Sequence, residues 1–179
     1  MALKATIFKA ELSIADMDRG YYRDHALTLA RHPSETDERL MVRLLAFALH
    51  ASESLAFGRG LSTEDEPDLW QRDLTGAISL WIDVGLPDER DVRRAAGRAD
   101  AVRIYTYGGR AVDMWWNRAG VKLSTLERLT VVDVPREATT AMAKLVDRSM
   151  RLQCTIQEGH IWLTDGVESV AVELRRLKG

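Results

Sequence analysis

The sequence has little cysteine and no excess of basic residues. Its one cysteine, Cys154, cannot form an internal disulfide, and the N-terminus lacks the apolar segment of a secretory signal. We therefore expect a cytoplasmic protein. The 25 Lys and Arg residues are balanced by 27 Asp and Glu residues, which gives a formal charge of −2. This balance excludes a protein that coats nucleic acid through bulk positive charge, but it leaves local basic patches open.

Long hydrophobic runs and cofactor motifs are also missing. No stretch approaches the roughly 20 apolar residues of a membrane span, so we expect no contact with a membrane. The chain has no P-loop and no complete Gly-x-Gly-x-x-Gly motif, which argues against a nucleotide cofactor. Its four histidines are too scattered for a zinc site, and no Gly-x-Ser-x-Gly elbow is present.

A single domain over 1–179 is predicted, because the chain is 46% hydrophobic and no linker or repeat interrupts it. Hydrophobic spacing predicts a mixed α/β core with additional β hairpins at both ends. The predicted core elements are a helix over 35–57, strands over 67–72 and 77–84, a helix over 87–99 and a strand over 101–107. A helix over 111–118, a strand over 126–132, a helix over 135–148 and a closing strand near 170–174 follow, and the hairpins occupy 3–31 and 150–164.

Two acidic residues on neighbouring predicted strands suggest a metal site. Asp68 follows a proline, and Asp83 lies inside an apolar strand. If the turn at 73–76 pairs Arg72 with Ala77, Asp68 faces Trp81 and lies diagonal to Asp83, about 7–8 Å away. Two carboxylates at that distance can share Mg²⁺ or Mn²⁺. A register shift of one residue would place them on opposite faces of the sheet.

Glu38 is a third candidate acid, because a helical projection aligns it with Met41 and Leu45 on the apolar side. The same projection assigns Glu35 to the polar side, with Arg39 and Arg43.

Each of the three candidate acids also has a purely structural interpretation. Asp68 suits a turn or a strand edge, and Asp83 suits an ion pair with a nearby arginine. Glu38 suits the first turn of a helix, where negative charge is favourable.

The order of a helix with Glu38, a strand with Asp68, a strand with Asp83, a helix and a strand resembles the PD-(D/E)XK nuclease superfamily. More narrowly, the chain resembles the YaeQ family in segments that run essentially from end to end. These segments are 2–7, 36–43, 81–90, 114–116 and 153–163. The resemblance implies a small bacterial cytoplasmic protein with a variant of the restriction-endonuclease-like core. It implies catalytic roles for Glu38, Asp68 and Asp83, and it puts Gly85 where the superfamily has a catalytic lysine.

Two functions follow from this resemblance. The first is a Mg²⁺-dependent nuclease in which Asp68 and Asp83 bind the metal and Glu38 orients a metal-bound water. Its phosphate contacts would come from the next helix, through Arg90, Arg93 and Arg94. Arginine stays protonated and can stabilise a phosphorane but cannot act as a base. The same three side chains also suit the solvated face of that helix.

The second function is a non-catalytic module, connected with transcription, that binds nucleic acid or a protein partner. Gly85 favours this alternative, because it removes the lysine that would activate the attacking water.

Overall fold

The computed structural model describes residues 4–59 and 65–179, which form eleven strands and four helices. The first half contains β1 (Thr6–Asp16), β2 (Tyr21–Arg31), α1 (Asp37–His50), β3 (Leu55–Phe57), β4 (Leu69–Arg72), β5 (Ile78–Val84) and α2 (Glu89–Arg98). The second half contains β6 (Ala99–Thr106), α3 (Arg110–Leu123), β7 (Leu129–Asp133), α4 (Arg136–Ala143), β8 (Ser149–Gln157), β9 (His160–Thr164), β10 (Ser169–Val172) and β11 (Arg175–Lys178).

The strands form two mixed sheets. The five-stranded sheet has the order β10-β9-β8-β1-β2, and the six-stranded sheet has the order β11-β7-β6-β5-β4-β3. The predicted mixed α/β class is therefore confirmed. The sequence patterns did not indicate how the two predicted terminal hairpins lie relative to each other. They join into one sheet through parallel pairing of β1 with β8, because their alternating apolar faces cover the same core.

A shared core joins the two sheets. It includes Leu12 and Leu29 from the five-stranded sheet, Ile82 and Val84 from the six-stranded sheet, and α1. Residues 40–48 of α1 are all buried, polar Arg43 among them. Helices α2 and α3 cover the opposite face of the six-stranded sheet, so this sheet is packed on both faces. Helix α1 is thus surrounded by protein, unlike a surface helix with one apolar stripe.

Several predicted boundaries were wrong. The helix predicted over 35–57 ends at His50, and its last residues form β3 instead. The Ser52 hydroxyl accepts hydrogen bonds from the backbone N–H groups of Ser54 and Leu55, which closes a turn. Helix α3 is longer than predicted and α4 is shorter. Strand β11 was missed, because the run from Arg175 to Lys178 lacks a clear alternation of apolar residues.

Nowhere in the described ranges is a helix both long and apolar enough to span a bilayer. The predicted hairpin over 3–31 begins outside the described residues, and part of the Gly-containing connection 58–66 also lies outside them.

Candidate functional site

The β4–β5 hairpin determines where the two candidate metal ligands lie. Trp70 pairs with Trp81 and Leu69 pairs with Ile82, and a bulge follows Gln71. The predicted pairing of Asp68 with Trp81 was therefore wrong by two residues. Inside the two strands, a shift of two residues leaves each side chain on its predicted face, because the side-chain period of a strand is two. Asp68 precedes β4, and its carboxylate contacts Arg39 of α1.

The turn of this hairpin explains the shift in register. The Asp73 carboxylate accepts hydrogen bonds from the backbone N–H groups of Thr75 and Ala77, at 2.8 and 3.0 Å. The backbone N–H of Asp73 donates to the carbonyl of Ala77. The loop is thus closed between residues 73 and 77, one residue wider than the predicted turn.

Asp68 and Asp83 lie side by side at the ends of these two strands. Asp68 Oδ2 accepts the backbone N–H of Val84 at 2.8 Å, and the backbone N–H of Asp68 donates to the Asp83 carboxylate. The indole Nε1–H of Trp81 donates to Asp83 Oδ2 at 2.9 Å. Burial, and then the negative charge of Asp68, raise the pKa of Asp83 to about 6. The structure therefore brings two of the three predicted acids together.

Asp68 is also the end of a buried ion chain that consists of Arg43, Glu35, Arg39 and Asp68. Arg39 Nη2 lies 2.8 and 2.9 Å from the two carboxylate oxygens of Asp68, and Arg39 Nη1 lies 2.6 Å from Glu35. Arg43 donates twice to Glu35, at 2.9 and 2.6 Å. Burial opposes the charge on Arg39, but the carboxylates of Asp68 and Glu35 outweigh that effect and raise its pKa. Each charged side chain of this ion chain therefore has an opposite charge beside it.

This ion chain corrects the helical projection. Glu35, Arg39 and Arg43 were assigned to a polar side where charge costs little, yet the side chains of Glu35 and Arg43 are each only 2% exposed. The projection assumed one apolar face, whereas α1 is covered on all sides. The spacing Glu35, Arg39, Arg43 was a usable signal for ion pairing, because side chains four residues apart meet on a helix.

Glu38 is not placed with the other two acids. It is half-buried on the first turn of α1, and the three acids do not form a group that could hold a metal ion. Burial is the main cause of a raised pKa at Tyr107, and the charge of Glu38 adds to it. Across 4–59 and 65–179, no group of three or more metal-binding side chains is present.

Gly85 has a backbone conformation that explains the missing lysine. Its φ is +110°, and its N–H donates to the carbonyl of Tyr105 at 2.9 Å. A side chain at this position would meet no atom within 4 Å of its Cβ, so space is available. The backbone itself disfavours any residue but glycine here.

The arginines of α2 lie apart from the two acids, with one exception. Arg90, Arg93 and Arg94 are exposed, and Arg93 and Arg94 pair with acids of their own helix, Arg93 with Glu89 at 2.8 Å. Arg98, at the end of the helix, has its guanidinium 5.1 Å from the ring centre of Trp81. Since Trp81 also holds Asp83, Arg98 is the α2 arginine connected to the site.

Known proteins match the chain over nearly its whole length. The family model described as YaeQ protein matches residues 1–174. The chain belongs to the YaeQ family. Relatives called uncharacterized protein YaeQ, from Salmonella typhi and Escherichia coli (strain K12), are each 47% identical over 174 residues, which is 97% of this chain and 96% of theirs.

Two crystal structures of YaeQ proteins share the fold. The protein from Xanthomonas axonopodis pv. citri is 49% identical with a TM-score of 0.94, over 98% of this chain and 99% of that one. The protein from Pseudomonas syringae is 37% identical with a TM-score of 0.94, over 98% and 97% of the two chains. The two-sheet architecture is therefore the architecture of the YaeQ family.

Proposed function

We propose that this YaeQ protein is a divalent-cation-dependent phosphodiesterase that acts on nucleic acid and is built on a variant PD-(D/E)XK core. The element order supports the proposal, because α1, the β4–β5 hairpin, α2 and β6 follow the order of that superfamily. The observation that carries it is the pair of neighbouring carboxylates, Asp68 and Asp83. The cytoplasm is the compartment that such a substrate implies.

The donor set suits Mg²⁺ or Mn²⁺. Mg²⁺ commonly binds one or two carboxylates, keeps several waters, and leaves the remaining positions to phosphate oxygens. The bound metal would polarise the phosphate and make the attacking water more acidic. In its absence, Arg39 compensates the charge of Asp68, whereas burial and the nearby Asp68 raise the pKa of Asp83 to about 6. A bound cation would compensate the charge of both carboxylates.

The side chains around this pair support substrate binding. Trp70 and Trp81 form an edge-to-face pair with ring centres 6.2 Å apart. The guanidinium of Arg72 lies 4.2 Å from the ring centre of Trp70, and Arg98 lies beside Trp81. Arginine and tryptophan together bind phosphates and stack on bases. Trp81 is buried, so Trp70 with Arg72 is the pair that a nucleic acid would contact. The roles of Glu38 in orienting water and of Arg90, Arg93 and Arg94 in phosphate contacts remain predictions.

Cleavage assays test this proposal. Purified protein is incubated with plasmid DNA, single-stranded DNA and RNA, with Mg²⁺, with Mn²⁺ or with EDTA. We expect cation-dependent cleavage, and we expect Asp83→Asn to reduce it by about 100-fold or more because one metal ligand is lost. Asp100→Asn is the matched control, since Asp100 is exposed. Lack of cleavage of all three substrates, or full activity of Asp83→Asn, would exclude the enzymatic role.

A second function is favoured by Gly85 and by the Arg39–Asp68 ion pair. Without a lysine and with Asp68 already paired, the same surface would bind nucleic acid without cutting it. Fluorescence anisotropy with a labelled oligonucleotide would then show salt-dependent binding that Asp83→Asn leaves intact. If no affinity for nucleic acid is measured at low salt, a protein partner is the remaining candidate.

A further inference from the structure

A cavity lies between the two sheets, at the opposite end of α1 from the ion chain. It has a volume of about 390 Å³, within the range of small-molecule sites. His50, on the last turn of α1, lines it. Arg39 precedes His50 by eleven residues, a distance of about 16 Å along the helix. The lining shares no residue with the Asp68–Asp83 site.

Two arginines line this cavity, and no acid does. Arg103 comes from β6 and Arg176 from β11. Arg103 Nη1 donates to the carbonyls of Val102 and Arg128, and Arg176 Nη1 donates to the main-chain oxygen of Gly179, the last residue of the sequence. In the described part of the chain neither guanidinium forms an ion pair with an Asp or Glu side chain. These two guanidinium groups therefore differ from Arg39 and Arg43, whose charges are compensated.

The charges of both arginines affect the same buried group, the hydroxyl of Tyr105. Tyr105 is buried, and its hydroxyl is hydrogen-bonded to His50 Nε2. Burial raises the pKa of Tyr105, and the charges of Arg103 and Arg176 oppose that rise, so both lie within electrostatic range of the hydroxyl. Burial, and then the charge of Arg103, lower the pKa of His50 to about 4. His50 is thus neutral, and the charged side chains that affect it and Tyr105 are all arginines.

The rest of the lining is mostly apolar, with Leu49, Val132, Ile156, Ile161 and Leu174 among its residues. These side chains come from α1 and from strands of both sheets. A ligand that contacted them would need a compact apolar body.

We propose that this cavity binds a small organic anion, a carboxylate or a phosphate monoester with an apolar body. Its anionic group contacts Arg103 and Arg176, and its body packs on the apolar lining. Arginine forms paired hydrogen bonds with both types of anion, which gives a role to two guanidinium groups that have no Asp or Glu side chain as partner. The Tyr105 hydroxyl and His50 offer neutral polar contacts at the same site.

Titrations with benzoate and with phenyl phosphate test the proposal. Each probe is added to ¹⁵N-labelled full-length protein up to about 10 mM, a range that detects dissociation constants near 1 mM. We expect saturable shifts of the signals of His50, Tyr105 and Val132, and the tighter probe identifies the preferred anion. No saturable shift at these residues with either probe would overturn the proposal.

Variants separate specific binding from general attraction to positive charge. Arg103→Gln and Arg176→Gln should each weaken binding by about tenfold or more, because each removes a hydrogen bond between charged groups. Arg118 is an exposed residue of α3, on the other face of the six-stranded sheet. Arg118→Gln removes the same charge and should leave the affinity for the probe unchanged. Equal weakening by all three variants would contradict a defined site. Cleavage of nucleic acid is measured separately, so failure here does not bear on the phosphodiesterase.

Discussion

The two ends of α1 differ in how the charges beside them are balanced. At the N-terminal end, Arg43, Glu35, Arg39 and Asp68 alternate in sign, and each buried charge is compensated by the chain itself. At the C-terminal end, His50 is neutral, and the neighbouring Arg103 and Arg176 donate to main-chain oxygens and not to Asp or Glu side chains. The buried charges at the N-terminal end therefore balance one another. At the C-terminal end, the charges of two arginines are available to bind an external anion.

This difference determines what each end tolerates. Removing one member of a compensated buried pair leaves an isolated charge in a place that excludes water, which costs more than the pair contributed. Removing Arg103 or Arg176 leaves no isolated Asp or Glu charge, and it frees only main-chain oxygens near the surface. Substitutions at the N-terminal end should therefore affect folding, and substitutions of Arg103 or Arg176 should affect binding.

The largest expected effect comes from Glu35→Ala, which leaves Arg39 and Arg43 without their shared carboxylate. We expect the free energy of unfolding to fall by about 3–5 kcal/mol, measured by urea denaturation. The matched control is Glu53→Ala. Glu53 pairs with Arg23 on the surface, at 2.6 Å and with 77% of its side chain exposed. Loss of that pair should cost less than about 1 kcal/mol. Equal costs for the two variants would show that the ion chain is not buried in solution.

The second effect is a pair of opposite pH dependences at the two ends of α1. The folded protein binds a proton at Asp83 more tightly than the unfolded chain does, since its pKa is raised to about 6. The stability from this group is present below about pH 4 and is lost as the pH rises through 6. The pKa of His50 is lowered to about 4, so its contribution is complete above about pH 6.5 and is lost as the pH falls towards 4.

Single variants should separate these two slopes. Relative to the wild type, Asp83→Asn should gain about 2 kcal/mol as the pH rises from 4 to 7, because the cost of a buried negative charge disappears. His50→Gln should gain a similar amount as the pH falls from 7 to 4. Both gains are measured by urea denaturation at several pH values. Slopes of the same sign for the two variants would contradict the assigned protonation states.

The smallest effect concerns the backbone beside Asp83. Gly85→Ala forces a side chain onto a residue with φ of +110°, and we expect a loss of about 1–2 kcal/mol. Gly97 also has free space around its Cβ position, but it lies inside α2. Gly97→Ala should therefore stabilise the protein by about 0.5–1 kcal/mol. Thermal denaturation compares the two, and a stabilising Gly85→Ala would disprove the conformational reason for the missing lysine.

Much of the fold could be predicted from local sequence patterns. The alternation of Ile78, Leu80, Ile82 and Val84 predicted β5, and Asp88 caps α2 as a helix start close to Pro87. Such signals work because each depends on residues that are near in sequence. The pairing of β1 with β8 could not be predicted in this way, since nothing local to either strand specifies its partner.

The candidate site was predictable only in part. Local patterns indicated that Asp68 and Asp83 belong to neighbouring strands, but they did not give the register of the pairing. The burial of Glu35 and Arg43 depends on protein that covers both sides of α1, which no helical projection contains. The cavity beside His50 likewise requires β6, β9 and β11 to be brought together, and β11 itself was missed.

The parallel pairing of β1 with β8 also has a consequence for synthesis on the ribosome. Lys9 pairs with Ser149, so the edge of β1 that later pairs with β8 stays unpaired while 140 further residues are synthesised. This takes roughly 10 s of translation. During that time the nascent β1–β2 hairpin presents an unpaired edge. Lys9 and Glu11 alternate with apolar residues along this edge and discourage pairing with other chains. The charged, solvent-facing side chains of β1 therefore protect it from aggregation before β8 has been synthesised.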